Sequence, residues 1–345
     1  MASHNATVAK IMAIHGKRLS NEDYQNMINL QSVSEIAEYL KNSTYFHDIL
    51  LPVDTNTIHR GLLENILRRS VFERYLKILN FEQLGKQEFY NFKIVRAEID
   101  EILSCISHIN AKSAEQIKTT PVYLSNYVSF DLIQLSKIRS YDELLNFFKK
   151  TSYYDLLVKC KPNNDNEKID YTKCEVLLRT YFLKRLFATI DKVFNNKVKT
   201  SLEFLISTDI DLINIINSYR LKTYYNENIE VIKEDMLPFH GRLKNEDQRE
   251  LYSSIDSKDF ISKFSKTYYG RQMIVNKLDI NNLDQSSFGL RYLYAKRALN
   301  QSQEAPVSIY AFVFLMEIEV SNIIKIIEGI RYGVPQKDIE MLLVI

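Results

Sequence analysis

Histidine is the first residue type to consider for chemistry, because it acts both as a metal ligand and as an acid–base group near neutral pH. The six histidines are scattered along the chain, at His4, His15, His47, His59, His108 and His240. None of them belongs to an HExxH motif, and none lies near two cysteines. The sequence therefore predicts neither a metal site nor a catalytic histidine.

The cysteines, serines and glycines also form no recognised catalytic or cofactor-binding motif. Cys105, Cys160 and Cys174 form no CxxC pair, and an odd number of cysteines fits a reducing compartment. We expect the three thiols to be small buried apolar groups. No GxSxG elbow is present, and none of the eight glycines forms GxxxxGK or GxGxxG. We predict no catalytic residue and no cofactor; Gly329 and Gly333 are expected to end a helix.

Paired carboxylates remain as candidates for acid–base work. Asp209 and Asp211 are two positions apart, so they diverge around a helix. This spacing favours capping or solvation over a shared catalytic role.

Composition and charge indicate which secondary structure carries these residues and which partners the chain could bind. The chain has 345 residues, of which 46% are hydrophobic, with only 8 Gly and 6 Pro, and this favours helices over a fold with many tight turns. The 45 basic and 43 acidic residues are nearly balanced, which argues against a dedicated nucleic-acid binder. The longest uncharged apolar run, Ile309 to Met316, is shorter than the about 20 residues of a spanning helix. We expect a soluble protein without a signal peptide or a transmembrane segment.

A helix signal recurs three times at a spacing of roughly 110 residues. Each copy opens with an N-cap residue followed three positions later by an acid, continues with two apolar residues at helical spacing, and reaches a Ser/Thr-Tyr pair. The N-caps and acids are Ser32 and Glu35, Ser140 and Glu143, and Asp256 and Asp259. The apolar pairs are Ile36 and Leu40, Leu144 and Phe148, and Phe260 and Phe264, and the tyrosines are Tyr45, Tyr153 and Tyr268.

A second signal recurs at a similar spacing. Glu98-IDEIL, Asp209-IDLIN and Glu317-IEVSN align, and the second and third copies share Asp211 and Asn214 with Glu319 and Asn322. A weaker third pattern repeats Glu64 and Arg68 as Glu175 and Arg179. The repeats predict an all-α chain with three homologous units at 1–82, 83–196 and 197–300 and closing C-terminal helices at 301–345, all in one compact body.

At this point the sequence resembles the C-subunit family of V-type and archaeal-type (A-type) ATPases, whose eukaryotic homologue is the d subunit. The resemblance is carried by the opening segment VAKIMAIHGKRLSNEDYQNMI, by the three Thr-Tyr helices, and by the late segment from Ala305 to Leu343. It covers essentially the whole chain. The sequence departs from the family pattern at Leu103, where the aligned copies have asparagine, and lacks the usual arginine directly after Asn322.

The resemblance implies three helical-bundle lobes around a pseudo-threefold axis, forming a funnel. It further implies a non-catalytic rotor subunit on the cytoplasmic face of the membrane, peripheral to it and linking the central shaft to the proteolipid ring. The subunit would transmit torque for ATP-coupled proton or sodium transport. Candidate partner contacts lie near the inferred helix ends, at Arg18, Arg139, Arg220, Lys222 and Arg331. These side chains could equally cap helix C-termini.

Two other function classes remain open at this level. A helical-repeat scaffold or adaptor would bind peptide or protein partners on a concave surface. An enzyme with an unrecognised helical fold would need a pocket with convergent ionisable groups.

Overall fold

The structure is a computed structural model that describes residues 2–81, 84–112, 120–162, 164 and 167–345. Over this part of the chain every regular element is a helix, which confirms the all-α prediction. Three short 3₁₀ helices, Leu84–Lys86, Glu88–Asn91 and Val122–Leu124, accompany the α-helices.

The α-helices are numbered in the order in which they follow one another along the chain. They are α1 (Ala2–His15), α2 (Asn21–Ile28), α3 (Val33–Ser43), α4 (His47–Leu50), α5 (Arg60–Phe81), α6 (Phe92–Ala111), α7 (Leu132–Leu135), α8 (Tyr141–Phe148), α9 (Tyr154–Val158), α10 (Tyr171–Val193), α11 (Asn196–Tyr225), α12 (Ile229–Glu234), α13 (Asn245–Tyr252), α14 (Ser257–Lys266), α15 (Tyr268–Val275), α16 (Leu283–Gln301), α17 (Ala305–Arg331) and α18 (Gln336–Leu342).

The helices group into two compact units, each assembled from segments that are not contiguous in the chain. The first unit comprises Met1–Gly85, Asn196–Ile206 and Arg271–Ile345, and the second comprises Lys86–Asn195 and Ser207–Gly270. Compact units and homologous repeats are different divisions of a chain. The repeat boundaries after residues 82, 196 and 300 and the three-lobed funnel therefore stay predictions.

Helix α17 is the central element of the first unit. It packs against α1, α5 and α16, and apolar side chains surround it on nearly all sides. Among the described residues it is the one helix long and apolar enough to cross a membrane, yet 78% of its most apolar window is buried inside the protein. A helix that is hydrophobic all round belongs in a core when other helices cover it.

The C-terminus of α17 is formed by the two glycines expected there. Gly333 has a φ of +65°, and the Val334 N–H donates to the Gly329 carbonyl over 2.8 Å. This is the left-handed ending that glycine favours at helix C-termini. The prediction that Gly329 and Gly333 end a helix is confirmed.

The three predicted N-caps form with the same geometry in all three copies. The side chains of Ser32, Ser140 and Asp256 accept from the backbone N–H three residues later, and each of these residues precedes an α-helix. The capping acids Glu35, Glu143 and Asp259 in turn accept from the N–H of the residue before the cap. The six apolar positions predicted along these helices are completely buried. The repeated helix signal is therefore confirmed.

The weaker repeated pattern also has a structural counterpart. Arg68 pairs with Glu64 over 2.8 Å, and Arg179 pairs with Glu175 over 2.7 Å, each one helical turn apart. These pairs lie on the surface, where such contacts add little stability.

The cap at Ser140 makes a prediction for stability. Replacing Ser140 by Ala removes the acceptor for the Glu143 N–H, so the free energy of unfolding should fall by about 1 kcal/mol. Urea denaturation followed by circular dichroism measures this. Ser140→Asp keeps an acceptor and should match the wild type, and equal loss in both variants would contradict the assigned cap.

Candidate functional site

The first of three buried carboxylate sites is built on α17, in the first unit. The Glu319 carboxylate accepts from the Leu19 N–H over 2.6 Å and from the hydroxyl of Tyr45. Leu19 follows α1, and Tyr45 follows the capped helix α3. The last long helix is thus joined to the beginning of the chain by a side chain that is 8% exposed.

The second site lies in the second unit and repeats this arrangement. The Glu98 carboxylate, on α6, accepts from the Ser129 N–H over 2.5 Å and from the Tyr153 hydroxyl over 2.5 Å. Tyr153 follows the capped helix α8, as Tyr45 follows α3. The second site therefore has the same three components as the first: a buried carboxylate, a loop N–H and a tyrosine at the end of a capped helix.

The third site, also in the second unit, is the most enclosed. Asp211 on α11 is completely buried, and its Oδ2 accepts from the N–H groups of Gly241, Arg242 and Leu243 over 2.9–3.1 Å. The Tyr269 hydroxyl donates to the same oxygen over 2.7 Å. The spacing favours capping or solvation for Asp211, and solvation is wrong, because the loop encloses the carboxylate completely.

Glycine is required where this loop approaches α11. A Cβ at Gly241 would lie 2.4 Å from Ser207 Oγ and 3.2 Å from Asp211 Oδ2. Real Cβ atoms do not approach a side chain so closely, so any larger residue would push the loop away from the carboxylate.

The register of the repeat differs from the sequence alignment in two places. In the second site the buried acid is Glu98, which corresponds to Asp211 and Glu319, whereas the alignment matches Glu98 with Asp209 and Glu317. In the third site the donor to Asp211 is Tyr269, and the predicted Tyr268 is its half-buried neighbour.

The tyrosine shift follows from where each capped helix ends. The threonines Thr44, Thr151 and Thr267 each donate a hydroxyl back to a carbonyl of the last helical turn. The site tyrosine comes one residue after the threonine in the first copy but two residues after it in the others. Aligning Thr-Tyr pairs therefore selects the wrong tyrosine in the third copy.

Two asparagines reinforce the sites one helical turn beyond the acids. The Asn322 amide donates to the Val344 carbonyl over 2.7 Å and accepts from the Val344 N–H over 3.1 Å. Asn214 makes the same reciprocal pair with Leu237, with both bonds at 3.0 Å. On α6, Asn110 makes the same reciprocal pair with Ile169, but it lies twelve positions beyond Glu98 and not three. In the register of the buried acids, the position equivalent to Asn214 and Asn322 is Glu101, three residues after Glu98, and not Leu103.

Burial is the largest influence on the pKa values of Glu319 and Asp211. Desolvation raises the pKa of Glu319 and the pKa of Asp211 above their ordinary values, although the hydrogen bonds to each carboxylate act in the opposite direction. Asp211 Oδ1 has no hydrogen-bond partner among the described atoms. The same burial, with the neighbouring acids, raises the pKa of Tyr153 and the pKa of Tyr269 well above the ordinary value of a tyrosine. The two tyrosine hydroxyls therefore stay protonated at neutral pH and can donate to the buried acids.

Three of the predicted partner-contact residues bind nearby groups of their own chain. Arg18 donates to the His15 Nε2 over 2.7 Å. Arg139 donates to the carbonyls of Ser136 and Ile138, and Lys222 donates to the Glu227 carbonyl.

The other two predicted contact residues are exposed at the ends of long helices. Arg220 lies in the last turns of α11, and Arg331 is the last residue of α17, with its guanidinium 5.6 Å from the ring centroid of Tyr332. The contacts described for Arg18, Arg139, Lys222 and Arg331 are local, and the role of all five residues toward partners stays a prediction.

The described residues contain no group of three or more His, Cys, Asp or Glu placed to hold a metal ion. Cys105, Cys160 and Cys174 are free and buried, which confirms the prediction for the thiols.

Comparisons with known proteins give the chain a family context. A protein-family model described as ATP synthase (C/AC39) subunit matches residues 7–342. The chain is similar to the C subunit of the A-type ATP synthase of Methanosarcina acetivorans, with 24% identity covering 93% of this chain and 87% of that relative. The proteins of the same name from Methanosarcina barkeri and Archaeoglobus fulgidus are 23% and 22% identical, each covering 98% of this chain and 92% and 95% of the relative.

The tyrosine assignment is directly testable. Tyr269→Phe removes the hydroxyl that bonds the buried Asp211, so the free energy of unfolding should fall by about 2 kcal/mol. Tyr268→Phe is the matched control, because its side chain is half-buried and its hydroxyl does not bond Asp211. Chemical denaturation of both variants measures the difference; equal effects would contradict the register.

The raised pKa of Glu319 predicts a change in pH dependence. Because the folded state holds its proton to higher pH than the unfolded chain, this group's contribution to stability falls as pH rises above the ordinary value of 4.5. Glu319→Gln removes that decline, so the unfolding free energy of the variant relative to wild type should rise as the pH increases from 4.5 toward neutrality. Urea denaturation at several pH values measures the unfolding free energy of both proteins, and parallel curves of this free energy against pH would contradict the prediction. Asp211→Asn should behave like Glu319→Gln.

Proposed function

The chain belongs to the ATP synthase (C/AC39) subunit family, and from this premise we propose that it is a central-stalk rotor subunit of an A-type or V-type ATPase. Members of this family are structural subunits and not catalytic ones. The match over residues 7–342 is the observation that carries the proposal, because it spans all three repeats and the closing helices.

In this role the subunit links the central shaft to the membrane proteolipid ring and rotates with both. It lies on the cytoplasmic face, peripheral to the membrane, and it receives the tip of the shaft in the funnel formed by three lobes. ATP chemistry and proton or sodium translocation take place in other subunits of the complex.

The mechanical demands of this role agree with the packing of each unit. A subunit that carries torque needs closely packed helices, because close-packed interiors are stiff and transmit strain. In the first unit, α17 is buried along most of its length and is fastened to the chain's beginning through Glu319. In the second unit, Glu98 and Asp211 fasten long helices to loops in the same way.

Exposed aromatic residues beside two of the predicted basic contacts support protein partners. Tyr224 and Tyr225 are each 70% exposed at the end of α11, close in sequence to Lys222. Tyr332, also 70% exposed, directly follows Arg331. Tyrosine next to a cation is a composition typical of protein interfaces. We therefore propose that Arg331 and Lys222, with these tyrosines, contact the shaft or the ring, together with Arg18, Arg139 and Arg220.

Site-specific crosslinking tests the rotor assignment. A tagged chain with a photo-crosslinking residue at position 331 is purified from its native membranes, and the crosslinked partner is identified by mass spectrometry. We expect shaft or ring subunits as partners. Because two parts of one rotor turn together, irradiation should leave ATP-driven ion transport unchanged.

A matched chain with the same crosslinker at position 337, an exposed site on α18, which contains no tyrosine, is the control. Loss of transport after crosslinking to a shaft or ring subunit would contradict a rotor. Recovery of unrelated soluble proteins, with no ATPase subunits, would instead favour a helical-repeat scaffold.

A further inference from the structure

A cavity of about 560 Å³ opens within the first unit, beside the Glu319 site. Its wall is formed by the end of α1 and the turn that follows, by α16 and α17, and by residues contributed from α2, α5 and the chain's last residues. This volume is in the range of small-molecule sites. The hydrogen bonds of the three buried carboxylate sites do not require a cavity of this size.

Three cations line this cavity, Arg18, Arg74 and Lys296. Among the described residues none of the three forms an ion pair with a carboxylate. Instead, Arg74 lies 3.7 Å from the ring centroid of Tyr45, Lys296 lies 5.2 Å from that of Tyr292, and Arg18 donates to His15. Positive groups that line the same cavity repel each other, and a bound anion reduces this repulsion.

The remaining ionisable groups of the wall offset only part of these charges, because the carboxyl group of Glu319 interacts electrostatically with Arg74 and Arg18. Among the described lining residues Glu319 is the one acidic side chain, and its two oxygens are already engaged by the Leu19 N–H and the Tyr45 hydroxyl. His15 accepts from Arg18 through Nε2, so it is neutral. Burial and the charges of Arg18 and Lys296 lower the pKa of His15 to about 4.

We propose that this cavity binds a phosphate-type oxyanion, held by Arg18, Arg74 and Lys296. Guanidinium and ammonium groups supply charge-assisted hydrogen bonds that match phosphate oxygens. The aromatic side chains of Tyr24, Tyr292 and Phe312 also line the cavity. Because 560 Å³ exceeds the space of inorganic phosphate, these rings leave room for the organic part of a phosphorylated molecule. This inference does not depend on the rotor assignment.

His15 reports directly on the bound anion. An anion beside Arg18 and Lys296 offsets their positive charge, so the pKa of His15 should rise when the site is occupied. The imidazole of His15 is titrated by NMR in the full-length chain with and without inorganic phosphate, and affinity is measured by calorimetry. We expect an upward shift of the His15 pKa with phosphate and none with an equal concentration of chloride salt.

Charge-neutral variants locate the binding groups. Lys296→Gln should weaken phosphate binding about tenfold, the loss expected for one hydrogen bond to a charged group. Arg297→Gln is the matched control, since Arg297 is the exposed neighbour that does not line the cavity, and it should bind as the wild type does. Equal affinity of the two variants would overturn the assignment.

Phenyl phosphate separates the two possible sources of the anion. Tighter binding of phenyl phosphate than of inorganic phosphate assigns the site to a phosphorylated molecule, whose ring contacts the aromatic wall. Equal affinity assigns it to the free anion. An unchanged His15 titration with both compounds, in a chain whose circular dichroism shows it folded, would overturn the proposal.

Discussion

The buried carboxylate is the constraint on which the three repeated sites depend. Removing such a group from water is unfavourable unless the protein supplies donors in its place. Glu98, Asp211 and Glu319 each meet this condition with backbone N–H groups of a loop and one tyrosine hydroxyl. The acid and its donors come from three different segments of chain, so each site fixes a long helix, a loop and a capped helix with respect to one another.

This constraint explains why the capped helices are so regular. The N-cap and its acid determine where the helix begins, and the threonine at its end determines where the chain turns. The tyrosine that follows is therefore placed within hydrogen-bond distance of the carboxylate. Apolar packing alone is tolerant of small shifts along a helix. A hydrogen-bonded buried acid is not, because a displaced tyrosine would leave its carboxylate without a donor. The polar sites thus select one register from among several that would bury similar apolar surface.

Much of this architecture can be predicted from the sequence, and the failures have definite causes. The N-caps and apolar pairs follow from local rules, so the predictions for Ser140 and Phe148 are confirmed. The sequence aligns Glu98 with Asp209 because both precede Ile-Asp, and only burial shows that the matching acid is Asp211. The Thr-Tyr pattern selects the neighbour of Tyr269 because the spacing after the threonine differs between copies. The cavity is invisible to sequence reasoning, since its three cations come together only through tertiary packing.

The order of residues around Glu319 has a consequence for biosynthesis. In the other two sites the acid precedes its loop and tyrosine along the chain, whereas Glu319 follows Leu19 and Tyr45 by most of the sequence. Polypeptides emerge from the ribosome starting at the N-terminus. The Glu98 and Asp211 sites can therefore close during translation, while the first unit waits for α17. Until α17 is synthesised, the N-terminal helices of the first unit expose the apolar surface that α17 later covers. Chaperones that shield nascent chains can bind such a surface.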